Sequence, residues 1–369
     1  MTAATPQEAT RRRLETLRRR MAEEKVDGIW VGSPANRRYL SGFTGSSGWL
    51  LITADRAELW TDFRYLEQAA AQAPAFEVVR HEPDVYQHLG RRAGELGLTR
   101  LGFERDHLTY GQWERLRAGL PDTVELVPVA GWVEELRRVK DPGEIAAIRQ
   151  AARIADEALL EVLAGLRPGM TEREVALQLE FAMRRRGAEG VAFDFIVASG
   201  PRSSLPHGLA SERVIEEGDL VTIDYGAVYA GYASDCTRTV VIGRAGQRQR
   251  EIYDIVLEAQ RRAMAAVRPG ATGADVDRAA REVIEAAGYG EHFGHATGHG
   301  VGLEVHEGPR LAATAGDQVL APGMVVTVEP GIYLPGWGGV RIEDLVVVTE
   351  DGGEVLTRVT KEFLQIAAH

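Results

Sequence analysis

The sequence predicts two domains of different class. An α/β layer over residues 1–135 is followed by an α+β domain, residues 136–369, with a pseudo-two-fold internal repeat. Three observations predict this. At 369 residues the chain exceeds what one typical core accommodates. Its first third alternates strand-like and helix-like stretches. The remainder contains one pattern twice.

The chain begins MTAATPQEATRRRLETLRRR. Its Arg and Leu spacing predicts an amphipathic surface helix, with a basic membrane- or nucleic-acid-binding tail as the alternative. The stretch lacks the apolar middle of a secretory signal. Stretches 28–32, 48–62, 76–82, 100–106 and 123–129 are rich in β-branched and aromatic residues and read as strands. Helical periodicity runs through 63–73, 84–97 and 109–119. Together these predict an α/β layer with a mostly open sheet. The segment SPANRRYLSGFTGSSG (33–48) reads as a connection carrying exposed Arg37, Arg38, Tyr39 and Phe43, a mix common in binding loops. Asp141-Pro142 followed by Glu144 marks a helix start just after a linker.

The repeat comes next. LRPGMTEREVALQLEFAMRRRGAEG begins at Leu166, and VRPGATGADVDRAAREVIEAAGYGE begins at Val267. Each has Arg-Pro-Gly, a Thr in capping position and an amphipathic helix, and each follows another long helix. Further on, EEGDLVTIDYG (216–226) aligns with APGMVVTVEPG (321–331). Residues ~144–243 and ~247–349 thus read as two copies of a helix–helix–strand–strand unit, with a site where the two hairpins meet.

Composition narrows the function. A net charge of −11 argues against general nucleic-acid binding. No apolar run approaches the ~20 residues that span a bilayer. Cys236 is the single cysteine, so no internal disulfide can form, which fits a reducing cytoplasm. If its strand alternates, Cys236 faces away from the site and serves packing.

Aligning the copies pairs carboxylates. Asp224 and Glu329 end matching strands, and the return strands carry Asp235 and Glu343. Asp224 and Asp235 are centred on 229–230, Glu329 and Glu343 on Gly336. Simple hairpins would place each pair opposite, with Cβ atoms ~5 Å apart. Four such carboxylates repel unless they protonate or cations neutralise them, and two divalent ions balance four charges. HATGHGVGLEVHEGP (295–309) supplies imidazole from His295, His299 and His306 on a glycine-rich backbone. Carboxylate oxygens with one imidazole, His299, suit Mn, Co, Zn or Fe(II).

At this point DYG…SDCTRT, GHGVGLEVHEGP, TVEPGIY and RIEDLVVVT resemble the proline-specific pita-bread metallopeptidases, aminopeptidase P and prolidase. SPANRRYLSGFTG and WTDFRYLEQA are similar to their creatinase-type N-terminal domain. The resemblance implies a pita-bread catalytic domain with two divalent ions per chain, manganese first. It implies Asp235 and Glu343 bridging both ions, Asp224 on one, and His299 with Glu329 on the other. It assigns His306, Glu329 and His207 to catalysis, and His207, His295, His306, Tyr333 and Arg341 to the substrate side. The implied reaction is hydrolysis of the Xaa-Pro bond at a peptide's N-terminus. An aminopeptidase acting on short peptides with proline second is the first reading, and a dipeptidase the alternative. A metal-free, catalytically dead binding module is a remote alternative, disfavoured because all five ligand positions are filled. The resemblance also implies a homodimer, and the single cysteine a cytoplasmic location.

Overall fold

The computed structural model describes residues 5–316 and 318–367. The chain splits into two compact units, Met1–Arg137 and Arg138–His369.

The first unit is a six-stranded mixed sheet with helices. Strand Gly28–Val31 pairs antiparallel with Trp49–Thr53 and parallel with Arg100–Glu104. Ala57–Thr61 with Glu77–Arg80 forms one edge, and Glu125–Val129 the other. The stretch read as one strand, 48–62, is therefore two strands of a hairpin, paired Trp49↔Trp60 through Ile52↔Ala57. Pro6–Glu23 is an amphipathic helix whose Leu14, Leu17 and Met21 are buried.

Segment 33–48 departs from its reading as a loop of exposed residues. Ser33 caps the N-terminus of a helix, Pro34–Ser41, with Pro at its start and Gly42 in the left-handed conformation at its end. Arg37, Tyr39 and Phe43 are buried. The Arg37 guanidinium donates to the Gly45 and Gly48 carbonyls, both at 2.6 Å. It therefore organises residues 45–48 from within and is not presented to a partner.

The second unit is built from the repeated element. Helices Pro142–Gly165 and Glu172–Arg185 belong to the first copy, Gln247–Ala266 and Gly273–Ala286 to the second. Thr171 and Thr272 cap the second helix of each pair through reciprocal boxes with Glu174 and Asp275. The same threonines bridge the chain just before the strands Leu220–Tyr225 and Val325–Val328, as Thr171↔Val214 and Thr272↔Val319. Each copy buries its own apolar cluster. One gathers Leu159, Leu179, Val221 and Val240, the other Val256, Ile284, Val326 and Val346.

The strands that follow the helices carry the site. Leu220–Tyr225 pairs antiparallel with Cys236–Ile242 in a four-stranded sheet. Val325–Val328 pairs with Asp344–Thr349 in a five-stranded one. In the second hairpin the register Gly331↔Arg341 to Leu334↔Gly338 centres on Gly336, as the sequence predicts. The first hairpin is shifted. Val228 faces Ala233 and Tyr229 faces Tyr232, so the turn lies at Ala230-Gly231. Both turn residues have positive φ, 49° and 79°, as a tight hairpin turn of the primed type requires. Asp224 consequently faces Thr237, not Asp235. The two aspartates share a face but lie on a diagonal. Among the described residues no helix is long and apolar enough to cross a membrane.

Candidate metal centre

The strand ends converge on one cavity of about 930 Å³. Its lining includes Asp224, Asp235, His299, Glu329 and Glu343, together with His207, His295, His306 and Arg341. Tyr333 lies behind it, buried. The fold thus brings all ten residues singled out from the sequence into one neighbourhood.

The floor is acidic and buried. Carboxylate oxygens of Asp224, Asp235 and Glu343 lie within 4.8 Å of one another. The diagonal offset of Asp224 and Asp235 still allows this, because both side chains leave the same face. His299 Nε2 lies 3.5 Å from Asp235 Oδ2 and 3.3 Å from Glu329 Oε1. Asp235 is therefore common to two groups of donors, one with Asp224 and Glu343, the other with His299 and Glu329.

Each member is held in place. Arg341 Nη2 donates to Asp224 Oδ2 at 2.7 Å. The other Asp224 oxygen is buried without a partner among the described residues. The Thr237 hydroxyl donates to Glu343 at 2.6 Å, and the Thr327 hydroxyl to Glu329 at 3.1 Å. His299 Nδ1 meets the Gly300 carbonyl at 3.1 Å. A carbonyl can only accept, so Nδ1 carries the proton and the Nε2 lone pair points at the carboxylates.

Electrostatics expose the unbalanced charge. Burial, then the Glu343 carboxylate, pushes the Asp235 carboxyl well above its ordinary range. Burial, then the charge of Glu329, does the same to Glu343. Glu329 is pushed up to about 8, mainly by burial. His299 is pushed down by burial and stays neutral. Crowded carboxylates that resist ionisation, an orphaned buried oxygen on Asp224 and a neutral imidazole offering Nε2 form a donor set that fits divalent cations.

Behind Asp224 runs a relay. Arg341 Nη1 donates to the Tyr333 oxygen at 3.0 Å, and the Tyr333 hydroxyl meets His295 Nε2 at 2.8 Å. His295 Nδ1 meets the Ala296 carbonyl at 2.8 Å, so Tyr333 must be the donor to Nε2. Burial takes His295 down to about 4. Both its ring nitrogens are engaged by protein, which ties it to Arg341 through Tyr333.

His207 and His306 are exposed at the cavity mouth. The His306 ring centroid lies 4.3 Å from that of His299. Burial, then the His299 imidazole, holds His306 below its ordinary value.

Sequence reasoning missed Thr237, Thr327, Arg138 and Arg310. Period-two spacing could have found the threonines, which lie two residues from Asp235 and Glu329 on the same strand faces. Arg310 pairs directly with His299 across two strands and so shares its face. The register slips immediately after, between His299 and Gly300, so no hairpin rule would have found it. Arg138 and Arg310 both line the cavity. Among the described residues no carboxylate forms an ion pair with either.

Comparison with known proteins gives the following. The model of metallopeptidase family M24 matches residues 146–350, and that of the creatinase/prolidase N-terminal domain matches residues 13–139. An Xaa-Pro dipeptidase of Pyrococcus furiosus is 42% identical over 353 residues, which is 95% of this chain and 99% of the relative. The solved structure of an Xaa-Pro dipeptidase from Bacillus anthracis superposes with a TM-score of 0.94 at 48% identity, covering 96% of this chain and 99% of that one. An X-Pro aminopeptidase structure from Thermotoga maritima gives a TM-score of 0.89 at 42% identity, with 96% and 99% coverage.

Proposed function

The chain belongs to metallopeptidase family M24, with a creatinase/prolidase N-terminal domain, and from that premise we propose that it is an Xaa-Pro dipeptidase using two divalent ions. This departs from the aminopeptidase reading that the sequence alone favours. Relatives and solved structures named Xaa-Pro dipeptidase support the change. The observation that carries it is the pair of guanidinium groups, Arg138 and Arg310, free of carboxylate partners among the described residues and lining the cavity that holds the carboxylates. A dipeptide places its free carboxylate one residue beyond the scissile bond, and an arginine fork matches a carboxylate. A longer peptide has a neutral amide there and gains nothing from the charge.

In this reading Asp235 and Glu343 would be ligands common to both ions. Asp224 would complete one site, and His299 with Glu329 the other. When bound, the ions supply a water of lowered pKa and polarisation of the scissile carbonyl. Manganese is the first assignment, with cobalt, zinc or iron as alternatives.

The chain's own residues do the rest. His306, neutral and at the mouth, donates a hydrogen bond to the oxygen that gains charge as the carbonyl is attacked. Glu329 moves a proton to the proline nitrogen. That nitrogen is a tertiary amide in the substrate and must be protonated to leave. His207 orients the prolyl side from the rim. His295, Tyr333 and Arg341 hold Asp224 in register for the metal. The assembly is a homodimer in the cytoplasm, a reading that rests on resemblance and on the single, buried Cys236; light scattering of the full chain tests the dimer.

The deciding experiment compares Ala-Pro, Ala-Pro-Ala and Met-Ala-Ser with added Mn or Co. Cleavage of Ala-Pro alone is expected. Turnover of Ala-Pro-Ala as fast as of Ala-Pro would restore the aminopeptidase reading.

A further inference from the structure

Beside the cleft lies an ion pair that no catalytic step uses. Lys140 Nζ donates to Glu307 Oε1 at 2.6 Å. The side chains are only 1% and 7% exposed. A buried pair of this kind gains little net stability over apolar packing, so its consequence lies in what it fixes. Glu307 directly follows His306 and lines the cavity.

Its place in the backbone shows what it fixes. Residues 302–306 bend without strand pairing between Gly298–Gly300 and Glu307–Leu311. The strands on either side lose register at Gly300, which faces Glu307. The ladder alone therefore does not set where His306 sits. The Glu307 carboxylate lies over Gly302, where an added Cβ would come within 2.2 Å of Oε1. Gly302 in turn accepts from the Ala233 N–H at 2.8 Å, two residues before Asp235. The Glu307 carboxylate thus packs across the base of the bend, beside the backbone bonds that Gly302 makes with Ala233 and Glu304.

Lys140 is pinned as well. Its backbone N–H donates to the Gly323 carbonyl at 2.9 Å, and Val139 bridges to Met324. These residues open the strand Val325–Val328 that leads to Glu329. The lysine thus spans from the base of the Glu329 strand to the residue after His306.

We propose that Lys140 is a positioning residue. Through Glu307 it holds the 302–306 bend closed and sets His306 relative to Glu329 and the metal ligands. The proposal rests on the catalytic role given to His306 above, but its test has one arm independent of activity.

That arm uses ¹³C-histidine-labelled full chain loaded with diamagnetic Zn²⁺. In Lys140→Met the His306 ring resonance, assigned by its loss in His306→Ala, is expected to shift or broaden, while that of His295 stays. The second arm is a double-mutant cycle on Ala-Pro hydrolysis. Lys140→Met is expected to lower kcat roughly 10- to 100-fold in the native background and less than about 3-fold in His306→Ala, with metal content unchanged. A loss largely confined to the native background marks action through His306. An equal loss in both backgrounds, or an unmoved His306 resonance, overturns the proposal. Glu307→Gln, which keeps the shape but removes the charge, is carried through the same two arms and decides if Lys140→Met does not fold. A wild-type chain inactive on Xaa-Pro substrates would count against the dipeptidase reading and leave the resonance arm to decide this one.

Discussion

Loading the metal-free protein with Mn²⁺ at pH 7 should release protons. Glu329, lifted to about 8, is roughly nine-tenths protonated at pH 7 without metal. Asp235 and Glu343 are also pushed well above their ordinary range. The three carboxyls share one crowded floor and titrate together. We therefore expect about one to three protons per chain, counted as a sum. The sign for stability follows. A folded pKa raised above the unfolded value contributes stability that is complete below about 4.5 and is lost as pH rises through about 8. The metal-free chain should therefore melt at lower temperature at pH 9 than at pH 6. The metal-loaded chain should show the reverse slope over that range, because protons compete with metal. Titration calorimetry in two buffers of different ionisation enthalpy counts the protons, since observed heat changes linearly with buffer enthalpy. A count below about 0.5 would refute the claim that the metal neutralises these carboxyls.

Three further outcomes follow from the same geometry. Asp235→Asn removes the carboxylate common to both donor groups, so at least one metal per chain should be lost while the metal-free protein melts higher; metal analysis and calorimetry read both. His306→Ala should lower kcat roughly 100- to 1000-fold, the worth of one oxyanion donor, with metal content unchanged; loss of metal in proportion to activity would make His306 a ligand instead. Asp156, buried and lifted to about 6 mainly by burial, contributes stability below about pH 4 that is lost as pH rises through 6. The change is roughly 3 kcal/mol, and Asp156→Asn should flatten that part of the denaturant-midpoint profile against pH.

The ligand positions were legible in sequence because the repeat marks them twice. Asp224 and Glu329 end matching strands, and their partners return at near-matching distances. The first turn was misplaced because Ala230 adopts positive φ, which an alanine gives no local reason to expect. Segment 33–48 was misread for the opposite reason, since Ser33-Pro34 is a sound helix-start signal. Arg37 looked like a surface charge because its acceptors are backbone carbonyls at Gly45 and Gly48, and backbone partners leave no trace in residue types. Arg310 was invisible because it reaches the cleft only through its pairing with His299.

One strand shows how a site this charged stays folded. In Asp344–Thr349 and the residue before it, successive carboxylates face opposite ways. Glu343 points into the cleft, and Asp344 points behind it. Asp344 meets Arg238 at 2.8 Å, Gln260 at 2.9 Å and the Thr357 hydroxyl at 2.9 Å, with Lys361 beside it. Two cations surround it, and they hold its carboxyl below the ordinary range although burial alone would raise it. Arg238 also donates to the Glu343 carbonyl and to the Val359 and Thr360 carbonyls. It therefore clamps the backbone of the cleft carboxylate to the C-terminal segment. The rear face is satisfied by protein alone, whereas the four cleft carboxylates proposed as ligands have Arg341 as their one ion-paired Arg or Lys among the described residues. Removing metal unbalances only the front, so the metal-free chain should keep its strands in place while the cleft carboxyls take up protons.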